Sequence, residues 1–146
     1  YVGCALNLNP HDMNEEWKNL RRKLRAGADF VLTQPIYDIR LVEDFHAAYR
    51  ASEGTGLPVP MIVGLLPLAS ARHAAFLQAE VPGITIPAEM LSRMQAAGEN
   101  GAAVGNQLAT DLALQLKKLA QGVYLMPAFG RYDRAAEIIE AIHAAK

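Results

Sequence analysis

Amide and guanidinium side chains recur just after the short apolar runs of this chain. Asn7 and Asn9 follow the first run, Gln34 sits in Thr33-Gln34-Pro35 after the second, and Arg131 follows Met126-Pro127 after the last. Gln34 offers one acceptor and two donors, the complement of a heterocycle with an amide-like edge. Arg131 offers a planar fork for a carboxylate or phosphate. Each also has a plainer reading. Thr33-Gln34-Pro35 could simply end a strand, Asn7 and Asn9 could form turns, and Arg131 could be a solvated residue of a first helical turn. A second group, Lys18, Arg21, Arg22, Lys23 and Arg25, makes a basic cluster that could meet a phosphate, although only some of the five can point one way.

The histidines do not suggest a metal site. His11, His46, His73 and His143 lack the close H-x-x-x-H pairing of zinc ligands, and the lone Cys4 cannot supply the companion thiolates. His46 and His143 fall in helical segments, where surface or interface roles suit them. His11 and His73 lie near strand ends and are candidate ligand contacts. No Ser/His/Asp triad or Cys/His nucleophile context is present.

The elements that must position these residues follow from periodicity. Four apolar runs, Val2–Leu8, Phe30–Thr33, Met61–Leu66 and Val123–Met126, show no strict alternation, so each is expected to be a strand buried on both faces. Helical periodicity fills the gaps. Glu15–Ala26 places Trp17, Leu20 and Leu24 on one face, with Asn14 as N-cap and Gly27 just past the end. Arg40–Ser52 repeats this with Leu41, Phe45 and Ala48, capped by Asp38. Two shorter segments, Ala71–Ala79 and Pro87–Ala97, precede the long Ala102–Gln121 stripe, and Tyr132–Ala145 closes the series. Alternating strands and helices mean parallel βαβ units in an α/β fold. Two architectures fit: a small doubly wound sheet, or half of a (β/α)8 barrel. Either one places ligands at the strand C-termini, where the amides and Arg131 lie.

Composition narrows the function classes. The chain has 146 residues, with 14 basic against 15 acidic side chains and a formal charge of −1, so no basic excess favours nucleic acid. The longest apolar stretch, Pro60–Ala69, is well short of the ~20 residues a bilayer requires and carries two prolines. A single cysteine and no visible secretory signal suit the cytoplasm. Tyr1 stands where an initiator Met would be, which suits an excerpt of a longer chain. No G-x-G-x-x-G follows the first strand, which argues against a dinucleotide-binding Rossmann unit.

Four motifs in order point to a family. Ala26-Gly27-Ala28-Asp29-Phe30-Val31-Leu32-Thr33-Gln34-Pro35 resembles the AGAD-x-x-x-TQ strand of 5,10-methylenetetrahydrofolate reductases. Val63-Gly64-Leu65-Leu66-Pro67 is similar to that family's GILP strand, and Val81-Pro82-Gly83-Ile84-Thr85-Ile86-Pro87 to its VPG-x-x-IP connection. Gly122-Val123-Tyr124-Leu125-Met126-Pro127 through Tyr132 resembles the last strand of the bacterial homocysteine-methyltransferase/reductase fusion type. The resemblance implies the C-terminal half of a (β/α)8 barrel, residues 1–146, in a flavoprotein. Such an enzyme uses NAD(P)H and FAD to reduce methylenetetrahydrofolate to 5-methyltetrahydrofolate in one-carbon and methionine metabolism.

Carried over position by position, the resemblance implies folate-substrate contacts for Gln34 and Arg131. His73 stands where some members carry a substrate-contacting Gln. FAD contacts are implied for Asn9, Glu16, Asn19, Arg22 and Lys23. No catalytic residue is implied, because the family's catalytic Glu and flavin-side Asp lie on earlier strands without counterparts here. The exposed edges of a half-barrel also lead to the expectation of a homo-oligomer. Rival expectations are a half-barrel that self-associates without flavin, and an unrelated phosphate-binding (β/α) barrel enzyme.

Overall fold

The structure, a computed structural model, describes residues 1–145. Strands β1 (Gly3–Leu6), β2 (Phe30–Pro35), β3 (Met61–Leu65) and β4 (Gly122–Leu125) form one parallel sheet in the order β1-β2-β3-β4. A doubly wound sheet reverses its strand order at a switch point. This order runs without reversal, so the sheet is an arc of a barrel. Helices α1 (Met13–Arg25) and α2 (Arg40–Glu53) make the first two crossovers. The third is longer, with α3 (Ala71–Glu80), α4 (Ala88–Ala96) and α5 (Gly101–Leu116), and α6 (Tyr132–Ala144) follows β4.

Local chemistry sets the helix ends. The start of α1 is capped by Asp12, not Asn14: Asp12 Oδ1 accepts from the Asn14 N–H at 2.8 Å and the Glu15 N–H at 3.3 Å. Gly27 takes the expected place beyond the C-cap, with φ +93°. Asp38 supports the start of α2 by accepting from the Arg40 N–H at 3.0 Å. The helix α5 stops at Leu116, short of Gln121. The N–H groups of Leu119 and Ala120 both turn back to the Leu116 carbonyl and tie off the last turn.

Two apolar clusters hold the fold. The larger lies between the sheet and its helices, where Leu6, Val31, Met61 and Val63 meet Leu20, Val42, Phe45, Leu112, Leu116 and Ile138. Trp17 of α1 stacks on Phe45 of α2, with ring centroids 5.4 Å apart, and joins the first two crossovers. The smaller cluster packs Tyr37, Leu68, Leu77, Ile84, Ile86 and Met94 beneath α3 and α4, beyond the strand ends. Thus the third crossover carries its own core.

The expectation that every strand is buried on both faces fails outside β3. In β2, Val31 and Thr33 are buried while Leu32 is half-exposed, and every residue of β4 is only half-buried. The helix-facing side is covered. The inward side, which opposing strands fill in a closed barrel, lies open in this four-stranded arc.

Candidate functional site

The strand C-termini gather the polar residues in two groups. Asn7, Asn9 and Gln34 form the first, beside β1 and β2. Between Leu32 and Pro35 the β2–β3 register slips: Leu32 pairs with Ile62, yet Pro35 pairs with Gly64. One extra residue on β2 makes a bulge, a device that re-aims a side chain. Gln34 sits in it and is exposed.

The connection between α3 and α4 folds over this corner. A Cβ on Gly83 would lie 2.6 Å from Gln34 Oε1 and 3.2 Å from Asn7 Nδ2, and Gly83 has φ +82°. The positive φ favours glycine here, and the missing Cβ leaves the two amides room beneath the turn. Nearby, Asn9 Nδ2 donates to Thr85 Oγ1 at 2.8 Å, and Asn7 Oδ1 accepts from the Asn9 N–H at 2.9 Å. The turn-forming role considered for Asn7 is real, and Asn9 additionally anchors the overlying loop.

Glu16 and Lys23 of α1 adjoin this corner. Glu16 Oε1 accepts from the Asn7 N–H at 3.1 Å, and Lys23 Nζ donates to the Ala5 carbonyl at 2.6 Å. Their charges are 3.9 Å apart. Since Val2 O accepts from the Asp29 N–H on the β2 side, strand alternation turns Ala5 and Asn7 to the outer edge of β1. Glu16 and Lys23 thus satisfy backbone groups that β2 cannot reach. One turn away, Arg22 donates to Asn19 Oδ1 at 3.0 Å. The other basic residues of the cluster diverge: Lys18 pairs with Glu15, and Arg21 with Glu53.

The second group lies at the ends of β3 and β4. His73, in the first turn of α3, accepts at Nδ1 from the Ala69 N–H at 3.1 Å. That bond leaves Nε2–H as the donor of a neutral ring. Partial burial pushes its pKa below the usual histidine value, in keeping with neutrality. Its ring meets Phe129 edge-on, with centroids 5.3 Å apart. Phe129 is exposed and holds φ +55°, uncommon for a non-glycine residue. Arg131 is exposed and grips Asp133 through two hydrogen bonds. Those bonds draw the Asp133 pKa down to about 2. Arg131 and Phe129 line the mouth of a cavity of about 240 Å³ between α5, α6 and the loops after β3 and β4.

Some residues stand apart. His11 and His143 are exposed, and His46 is half-buried with Nε2 2.8 Å from the Leu119 carbonyl. Among the described residues no cluster of three His, Cys, Asp or Glu side chains could hold a metal ion. Among them, too, no helix is long and apolar enough to cross a membrane. Sequence reasoning passed over Tyr124, Thr85 and Phe129. Tyr124 was hidden in an apolar run, and its one signal is a glycine, Gly64, its register partner on β3.

Comparison with known proteins adds ancestry to this geometry. A family model described as methylenetetrahydrofolate reductase matches residues 5–141. Methylenetetrahydrofolate reductase 2 of Saccharomyces cerevisiae is 30% identical over 127 residues, covering 86% of this chain and 20% of the yeast protein. Methylenetetrahydrofolate reductase 1 of Schizosaccharomyces pombe is 30% identical over 83 residues, 57% of this chain and 13% of its own. A solved structure of an uncharacterised Clostridium thermocellum protein that binds two copies of 5-methyl-5,6,7,8-tetrahydrofolic acid superposes with a TM-score of 0.69. It covers 96% of this chain and 51% of that one at 19% identity, a likeness of fold. The chain therefore spans about half of that structure and about a fifth or less of the yeast proteins.

Proposed function

The chain belongs to the methylenetetrahydrofolate reductase family, and we propose that it forms the C-terminal half of a reductase barrel. In that reading residues 1–146 contribute to FAD-dependent reduction of 5,10-methylenetetrahydrofolate to 5-methyltetrahydrofolate with NAD(P)H. The family match over residues 5–141 carries the reading, because it spans both polar groups at the strand ends. A cytoplasmic homo-oligomer belongs to the same proposal.

The residues at hand suit the partners invoked. A carboxylate, an amide and two cations at Glu16, Asn19, Arg22 and Lys23 make a donor set for a dinucleotide: acceptors for ribose hydroxyls and donors for phosphates. Asn9 would hold the same group from the loop side. FAD, when bound, supplies a two-electron carrier between nicotinamide and folate. Gln34, with both amide functions free to face a ring edge, would orient the pterin and the nicotinamide in turn. Arg131 would hold an anionic part of the substrate, exchanging Asp133 for it. His73 would donate from Nε2–H.

The full-length protein tests this reading directly. Purified, it should show flavin absorbance that bleaches with NAD(P)H and returns when methylenetetrahydrofolate is added. A colourless protein that binds no added FAD would overturn the proposal. The isolated 146-residue chain should show no turnover above a flavin-only blank, because the family's acid/base carboxylates have no counterpart in it. Measurable turnover would direct the search for a proton donor to His11, His73 and Glu16.

Lys23 separates a specific cofactor contact from a diffuse field. Lys23→Ala in the full-length protein is expected to weaken FAD binding by roughly 1–3 kcal/mol, the range for hydrogen bonds to charged groups. Lys18, paired with its exposed neighbour Glu15, should be near neutral when replaced by Ala. Equal shifts in the FAD dissociation constant at one salt concentration would reduce the basic cluster to a general attraction.

A further inference from the structure

We propose that Tyr124 is a positioning residue for Gln34, acting through Thr33 and the bulge of β2; the proposal rests on the reading that Gln34 meets the substrate. The bulge leaves main-chain groups at Thr33 and Gln34 without the regular β3 ladder, and a small network takes them up. Thr33 Oγ1 accepts from the Gly64 N–H at 3.0 Å and donates to the Gln34 carbonyl at 2.7 Å. The Ile36 N–H then resumes the ladder at the Gly64 carbonyl. The Thr33 carbonyl is left for a partner from outside β3. Tyr124 Oη, from the far side of β3, donates to it at 2.6 Å.

That reach needs a clear path. Gly64 lies between, and a Cβ there would stand 2.9 Å from Tyr124 Oη, 3.0 Å from its Cζ and 3.1 Å from the Gln34 carbonyl carbon. Only glycine lets the phenol cross the inward face of the sheet. Thr33 itself is 2% exposed, so its polar groups cannot turn to water. Each therefore needs its protein partner, and the network is complete only with the tyrosine. Burial raises the Tyr124 pKa, so the phenol remains a donor through the ordinary pH range. Gln34, two bonds beyond the Thr33 carbonyl, is aimed by a backbone that this hydroxyl fixes. Side chains that meet ligands demand such support, since a small displacement removes a directional hydrogen bond.

The test is a double-mutant cycle in the full-length protein, read by calorimetric affinity for 5-methyltetrahydrofolate. Tyr124→Phe keeps the ring and removes the donor. It should weaken binding about tenfold, leave flavin content unchanged, and add less than twofold in a Gln34→Ala background. Thermal unfolding of Tyr124→Phe beside the parent protein separates a lost donor from a lost fold, and an unchanged melting temperature with the tenfold loss is the expected result. Independent losses that multiply in the double variant, or an unaffected Tyr124→Phe beside an impaired Gln34→Ala, would overturn the positioning role. An unaffected Gln34→Ala would instead overturn the substrate role of Gln34, and the proposal with it.

Discussion

Gly105→Ala should destabilise the fold by roughly 2–4 kcal/mol and lower the melting temperature by about 10 °C. Helix propensity alone predicts the opposite, since alanine exceeds glycine by about 1 kcal/mol in a helix interior. The surroundings decide. A Cβ on Gly105 would stand 1.8 Å from the Leu68 carbonyl oxygen and 2.7 Å from its carbonyl carbon. These are backbone atoms, so no rotamer change relieves the clash. Either α5 lifts from the end of β3, or the Leu68 segment moves and disturbs the smaller core, where Leu68 is 2% exposed. Gly56→Ala is the matched control, with no atom within 4 Å of its Cβ and no positive φ. It should be neutral or slightly stabilising. Thermal unfolding of both variants by circular dichroism checks the pair. Coincident melting curves would mean that α5 does not rest on Leu68.

Gln34→Ala in the full-length protein should leave bound FAD largely intact while slowing both half-reactions by roughly 1–3 kcal/mol each. The side chain is exposed in a bulge, so its removal leaves no buried cavity and little stability is at stake. Its amide oxygen lies beneath the Gly83 turn, with the Asn7 amide at the same corner. An amide can turn either function toward a ring edge, and this suits two substrates that use one place in turn. Stopped-flow absorbance separates the steps: flavin reduction by the nicotinamide, then reoxidation by the folate. Release of FAD, with half-reactions normal per bound flavin, would assign Gln34 to the cofactor instead.

Much of the architecture could be read from the chain, because apolar runs and helical stripes report burial directly. All four strands and six helices lie where periodicity put them, and the family motifs chose the barrel arc over the doubly wound sheet. The departures have local causes. Asp12 and Asn14 are both competent caps two residues apart, and only the geometry of the entering chain selects Asp12. Leu119 continues the apolar stripe of α5 after the helix has ended, since packing and hydrogen bonding do not stop at the same residue. The bulge at Gln34 was invisible for a different reason: a slip in register is a property of two strands, and neither carries it alone. Tyr124 illustrates this most clearly, because its partner lies 91 residues away.

The outer edge of β1 has one more consequence. Sheets with two bare edges can add identical chains head to tail, closing into rings or running on as filaments. Here the Ala5 carbonyl and the Asn7 N–H are already bonded to Lys23 and Glu16. A strand arriving from another copy must displace both side chains before its own backbone can pair, whereas β4 at the opposite edge shows no such cover among the described residues. In the proposed barrel the strand preceding β1 would make the same demand, and its pairing would release Lys23 and Glu16, the two side chains proposed to hold the flavin, from the β1 backbone.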